Sequence, residues 1–248
     1  MNVLAVIPSR YASSRFPAKP LAMLAGKSMI QRVYEQTVQV KGLQQVVVAT
    51  DDNRIFDHVK GFGGAVKMTS DQHPSGTDRC AEVAADFSAA DLVVNIQGDE
   101  PFLAPSQIER LIEALKKMEG TGIATLAKKI DEVGSLLDPS TVKVVFDKAG
   151  KAMYFSRSVI PHLRGKEQAD YLKYGNFYKH IGIYGFYRKT LLEVSKLAPS
   201  ELELSESLEQ LRWLENGYAI QVAVTELETI GVDTPEDLVR AEAYLRGR

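Results

Sequence analysis

The sequence predicts one α/β domain whose sheet is mostly parallel and covered on both faces, with an antiparallel lobe inserted in its second half. Three observations predict it. Short β-branched runs alternate with longer amphipathic stretches through the first half. Runs such as VLAVI and LVVNI are apolar at nearly every position instead of every second one, as strands buried on both faces require. After about Gly122 the pattern changes to hairpin-like and aromatic-rich segments. The 248 residues, 45% hydrophobic and 25% charged, suffice for one substantial core, so residues 1–248 are expected to form a single domain.

Taken in order, the strand candidates of the first half are residues 3–7, 46–50, 65–68 and 92–96. The clearest helix lies at 106–118, where Ile108, Leu111, Ile112 and Leu115 fall at i, i+3, i+4 and i+7 and Gly120 offers a stop. In the second half, TVKVVFDKAGKAMYF reads as two strands joined by the turn Asp147-Lys148-Ala149-Gly150, and FYKHIGIYGFY follows as an aromatic strand. These segments define the lobe, at about residues 141–187. It carries more large apolar side chains than one small sheet face needs, which predicts a homodimer formed through it. The end returns to a helix at 206–215 closed by Asn216-Gly217, a strand at 218–226, and a helix opened by Thr234-Pro235-Glu236-Asp237.

The formal net charge of −2 removes the broad basic field with which a protein neutralises polynucleotide phosphates, so nucleic acid is not an expected partner. No apolar run reaches the roughly 20 residues needed to span a bilayer, so no membrane partner is expected. One cysteine, Cys80, excludes an internal disulfide, and the amino terminus lacks the pattern of a signal peptide; a cytoplasmic protein is expected. Cys80 lies among small apolar residues and reads as a buried thiol.

The segment PSRYASSRFPAKPL directly after the first strand brings Arg10, Arg15 and Lys19 together within a ten-residue stretch close to a strand end, in a loop stiffened by Pro8, Pro17 and Pro20. Guanidinium forks with a lysine point charge suit phosphate, and the carboxyl ends of parallel strands are where open α/β sheets bind ligands. The spacing is not that of a P-loop. Thr50 ends the second strand in ATDD, and Ser75, Gly76, Thr77 and Arg79 open a helix in HPSGTDR. Spacing alone leaves this second string open between ordinary capping and anion binding. VVNIQGDEP sets Gln97, Asp99 and Glu100 just beyond a buried strand, and Asp233 precedes the Thr234 cap.

The string IPSRYASSRFPAKPL resembles the signature IPAR-x-x-S-x-R-x-P-G-K-P-L of the sugar-acid cytidylyltransferases, within the Rossmann-like nucleotide-sugar transferases. SRSVIP, KHIGIY and LEQLRWLENG are similar in order and spacing to the CMP-Kdo synthetase (3-deoxy-manno-octulosonate cytidylyltransferase) branch, with matches from Ile7 to Leu238. The resemblance implies an enzyme that transfers CMP from CTP to Kdo, for lipopolysaccharide synthesis, as a homodimer with Mg2+. It implies that Arg10, Ser13, Arg15, Lys19, Thr50, Ser75, Gly76, Thr77, Arg79 and Gln97 bind the nucleotide, and that Asp99 and Asp233 hold the metal. Lys19, Arg15, Asp99 and Asp233 then carry the catalysis, and Arg157, His180, Tyr184, Glu209 and Gln210 meet the sugar acid. Residues alone favour His180 and Tyr184 as packing in the lobe and Glu209 as a solvated helix residue. Another acidic sugar, a nonulosonate or an amino-Kdo, and a noncatalytic nucleotide-binding relative are the competing readings. Ala18 stands where the family usually has glycine; if that position takes a positive φ, alanine there is strained.

Overall fold

The computed structural model describes residues 1–12, 16–118, 122–228 and 231–246. Its elements begin with β1 (Val3–Ser9), β2 (Met23–Leu24), β3 (Lys27–Ser28), α1 (Met29–Thr37), β4 (Leu43–Thr50), α2 (Asn53–Gly61) and β5 (Val66–Met68). There follow α3 (Gly76–Asp86), β6 (Leu92–Asn95), α4 (Pro105–Lys116), β7 (Ile123–Lys129), α5 (Val133–Leu137), β8 (Lys143–Phe146) and β9 (Ala152–Ser156). The chain ends with α6 (Tyr171–Tyr174), β10 (Tyr178–Tyr187), α7 (Arg188–Val194), α8 (Glu201–Glu206), α9 (Glu209–Glu215), β11 (Ile220–Val224) and α10 (Pro235–Arg246). It divides into two compact units, Met1–Glu109 with Thr229–Arg248, and Arg110–Glu228.

In the first unit the strands pair in the order β6-β1-β4-β5, all parallel. Val3 to Ile7 and Leu92 to Val94 are at most 2% exposed, which is why both runs are apolar throughout. The covering helices start where the sequence supplies a cap. Ser28 Oγ accepts from Gln31 N at 3.2 Å, and Asp52 Oδ1 accepts from Arg54 N at 2.9 Å. Ser75 and Asp78 form a reciprocal capping box at the head of α3. Cys80, within α3, is buried, as its apolar neighbours predict. Leu238 and Leu245 of α10 pack with Val232, Leu24, Met29 and Phe102, which fixes the start of α10 against the segment that follows β1.

Ala18 has φ +58° and ψ +19°, so the left-handed geometry that favours glycine is present with alanine in it. For an L-residue this conformation costs about 1–2 kcal/mol. Ala18→Gly is therefore expected to raise stability by about 0.5–1 kcal/mol, because glycine's larger unfolded-state entropy cancels part of the gain. Urea unfolding of both proteins measures it; a lower midpoint in the glycine variant contradicts the strain.

In the second unit the order is β11-β7-β10-β8-β9, with β7 and β11 parallel and the other pairs antiparallel. The hairpin β8-β9 turns where Asp147 to Gly150 predicts, Gly150 taking φ +82°. Trp213 of α9 is fully buried against Tyr184 and Phe186, with ring centroids 4.9 and 5.3 Å away. Two sequence expectations are corrected here. IATLAKK forms β7, which the sequence reading passed over, because a strand covered on both faces shows no alternation and its alanines and lysines read as helical. The helix expected at 206–215 is two helices, α8 and α9, separated by Ser207 at φ +52°.

Candidate active site

The parallel strands β1, β4 and β6 end at Ser9, Thr50 and Asn95, so their carboxyl ends lie on one edge. Two glycines let neighbouring chain close on that edge. A Cβ on Gly76 would stand 3.2 Å from Pro8 Cγ, and one on Gly98 would stand 3.1 Å from Ser9 Oγ and 3.2 Å from the Pro8 carbonyl. Side chains at these positions would push the head of α3 and the loop after β6 away from the end of β1.

Lys19, Asp99 and Asp233 meet there. Lys19 follows Ala18, whose N–H donates to the Tyr11 carbonyl at 3.0 Å, so the strained turn returns the chain toward β1. Asp233 is brought in by the backbone, since Val232 N–H donates to the Asp99 carbonyl at 2.9 Å, and by the α10 cap, where Asp237 accepts from Asp233 N and Thr234 N. Lys19 Nζ donates to Asp99 Oδ2 at 2.8 Å and to Asp233 Oδ1 at 3.0 Å. Burial pulls the Lys19 ammonium down, but Asp99 and then Asp233 outweigh it and its pKa is raised. The repulsion expected between two carboxylates on this edge is thus relieved by a shared ammonium. The carboxylates keep 31% and 45% of their surface exposed, which suits a hard dication that takes one or two carboxylates and completes its shell with phosphate and water. Glu100 lies beside the same segment, its Oε1 3.4 Å from where a Gly231 Cβ would stand.

The other residues expected at the nucleotide divide by what holds them. Arg10 reaches the loop before α3, donating to the His73 carbonyl at 2.8 Å, and His73 itself pairs with Glu82. Thr50 is fully buried and its Oγ1 accepts from Asp52 N at 3.2 Å. Ser75 works as a cap, Thr77 is buried, and Gln97 Nε2 lies 3.4 Å from Asn95 Oδ1. Arg79, expected to offer its charge to the nucleotide, is instead fully buried: it donates to Asp51 Oδ2 at 2.7 Å and to Thr69 Oγ1. Its role here is to tie α3 to the ends of β4 and β5. Ser13 and Arg15 lie outside the described residues.

In the second unit, β10 bulges opposite β7, with Ile181 facing Leu126 and Tyr184 already facing Thr125. Thr125 Oγ1 sits in the bulge, 2.8 Å from the Ile183 carbonyl and 2.8 Å from His180 Nε2. If the hydroxyl donates to that carbonyl it accepts from His180, which assigns the proton to Nε2 and leaves Nδ1 as an acceptor. The imidazole is enclosed by Phe155 and Tyr184, at centroid distances of 5.0 and 5.4 Å, and this burial pushes it down to about 3. It is a neutral hydrogen-bonding group at physiological pH. Burial, and then the charge of Glu209, hold the Tyr184 phenol well above its usual range. Gln210 is buried, and its Nε2 has no hydrogen-bond partner among the described residues. Arg157 is held by backbone: Nε donates to the Glu206 carbonyl at 2.7 Å, and the terminal nitrogens to the carbonyls of Pro139 at 3.1 Å and Ser207 at 3.3 Å.

Sequence reasoning missed two groups. The Arg54 guanidinium lies 3.2 Å over the Tyr11 ring and is forked to Asp52, pinning the segment after β1 to the head of α2. Lys143 is fully buried, with Nζ donating to the carbonyls of Asp138, Thr141 and Arg157 at 2.9, 2.7 and 2.7 Å. Its signal is present in TVKVVF, where a lysine stands between strand residues at an alternating position.

A family model described as cytidylyltransferase matches residues 4–228. A 3-deoxy-manno-octulosonate cytidylyltransferase from Parabacteroides distasonis is 54% identical over all of both chains, and one from Bacteroides thetaiotaomicron is 53% identical over the same share. Among solved structures, a CMP:2-keto-3-deoxy-manno-octonic acid synthetase complexed with CTP is 42% identical, with a TM-score of 0.93 over 100% of this chain and 99% of its own. A 4-diphosphocytidyl-2C-methyl-D-erythritol synthase from Anaerococcus prevotii, 17% identical with a TM-score of 0.60 over 99% of this chain and 98% of its own, shares the fold. Fold, edge site and family model together define a cytidylyltransferase. Within that class the chain belongs to the 3-deoxy-manno-octulosonate cytidylyltransferase family.

Proposed function

We propose that this chain transfers CMP from CTP to the anomeric hydroxyl of Kdo, the hydroxyl oxygen bonding to the α-phosphorus as the bond to the departing pyrophosphate breaks and the hydroxyl proton passes to solvent. The observation that carries it is the Lys19 ammonium within 3.0 Å of both Asp99 and Asp233 at the carboxyl edge of the parallel sheet. Such a transfer is accelerated by positioning and by neutralising charge on the phosphate oxygens, so the reading needs neither a covalent intermediate nor a protein general base. Arg10, Arg15 and Lys19 supply the cations that hold the triphosphate. Asp99 and Asp233 are the residues that would hold magnesium, whose charge would offset that of the phosphates and make the sugar hydroxyl more acidic. His180, Tyr184, Glu209 and Gln210 offer the mixed donors and acceptors that a polyhydroxylated acid requires, and the buried Gln210 Nε2, without a hydrogen-bond partner among the described residues, supports a ligand there.

The test is the initial rate of pyrophosphate release with CTP, ATP and GTP against Kdo, other sugar acids and neutral sugar phosphates. CTP with Kdo is expected to be fastest. Faster turnover of a neutral sugar phosphate overturns the assignment.

The activity is proposed to serve lipopolysaccharide synthesis in the cytoplasm; among the described residues no helix is long and apolar enough to cross a membrane. A homodimer is also part of the reading, supported in the second unit by the exposed apolar side chains Met153 and Leu204. Light scattering at micromolar concentration is expected to give twice the 27.4 kDa chain mass; the monomer mass contradicts it.

A further inference from the structure

The second unit contains a knot of charge-assisted hydrogen bonds that no step of the proposed transfer uses. Lys143 Nζ, fully buried, joins the loop at Asp138 and Thr141 to the Arg157 carbonyl. Arg157 reaches from the end of β9 to the carbonyls of Pro139, Glu206 and Ser207. The Glu206 carboxylate closes the knot, accepting from Ser156 Oγ at 2.6 Å and from Arg157 N–H at 2.9 Å. Three stretches of chain are thereby fixed to one another. One of them is the turn at Ser207, where a non-glycine residue takes φ +52°. Such a conformation is strained for an L-residue and persists only where the surroundings over-determine it. Arg157 and the Glu206 carboxylate supply that constraint, and α9 begins two residues later with Glu209 and Gln210.

We propose that Arg157 is a positioning residue: it holds the Glu206–Ser207 turn and so sets the first turn of α9, which presents Glu209 and Gln210 to the sugar acid. This assigns its guanidinium to the backbone carbonyls in place of the sugar acid that the resemblance implies. Nε and the two terminal nitrogens of Arg157 each reach a different carbonyl, and a lysine at this position has one nitrogen that cannot stand at all three places, although either cation would attract a carboxylate. Glu206 belongs to the same device and is not expected to touch substrate.

The proposal rests on the Kdo reading, and the two fail differently. Arg157→Gln, Arg157→Lys and Glu206→Gln are compared with the parent enzyme for KM and kcat with Kdo and with its C1 carboxamide, and for CTP affinity by calorimetry. All three variants are expected to raise the KM for Kdo roughly 10-fold while leaving CTP affinity within about 2-fold, as a loss of uniform sugar binding gives. Arg157→Lys should lose as much as Arg157→Gln, and the ratio of kcat/KM for acid over amide should stay at the parent value in every variant. A ratio that collapses in Arg157→Gln and recovers in Arg157→Lys makes Arg157 the carboxylate ligand and overturns the proposal. So does an unchanged sugar KM in Glu206→Gln. A parent enzyme that turns over CTP with another sugar but not with Kdo overturns the functional reading instead.

Discussion

Asp99→Asn and Asp233→Asn are each expected to remove about 100-fold or more of magnesium-dependent pyrophosphate release with the fold intact. Supporting partners of a metal site alone are worth about 10–100-fold, and these two side chains would be the metal's own protein ligands. The exchange keeps the side-chain shape, and both carboxylates retain exposed surface, so little core packing is at stake. Each variant still leaves Lys19 one carboxylate within 3.0 Å, so the ammonium is not abandoned in a partly buried site. CTP binding should survive better than turnover, because the cations on the segment after β1 are untouched whereas the sugar hydroxyl loses its alignment. Rate and CTP affinity at saturating magnesium, with circular dichroism as the folding control, make the comparison. Near-parent turnover in either folded variant removes that aspartate from the metal site.

The parallel half of the fold was legible because burial on both faces demands unbroken apolar runs, and because caps at Ser75 and Thr234 announce their helices. The convergence of Lys19, Asp99 and Asp233 was legible in kind, since residues just past parallel strands share an edge, but not in detail. Nothing in the string AKPL says that the lysine lies between the two aspartates. Arg79 misled for a related reason: a cation beside a helix start suits an anion, yet Asp51 at the end of a neighbouring strand neutralises it, and that pairing spans 28 residues. The second unit was harder to read. At the bulge in β10 the Thr125 hydroxyl of the neighbouring strand meets His180, whose ring packs on Tyr184, contacts with no sequence period. The break at Ser207 was hidden because serine carries no strong stop signal, and the break depends on what Arg157 and Glu206 do to it.

Lys19 is the charge at the centre of the edge site, bonded to both Asp99 and Asp233. Lys19→Ala is expected to lower the chemical rate by about 100-fold or more, the scale seen when one preorganised donor is removed from a developing charge. CTP affinity should fall by less than about 10-fold, since Arg10 and Arg15 remain and ground-state binding is shared. The substitution also leaves Asp99 and Asp233 without their common counter-ion, so the variant is compared at saturating magnesium, where a dication can relieve the repulsion. No pH effect of Lys19 should interfere. Its folded pKa is raised, so its contribution to stability is complete below the ordinary 10.5 and is lost only as pH rises through the higher folded value. An alkaline fall in rate between pH 7 and 9 would therefore belong to another group. The deciding measurement is the single-turnover rate of Lys19→Ala beside its CTP dissociation constant: a rate that falls much further than the affinity is the predicted result, and chemistry at the parent rate contradicts it.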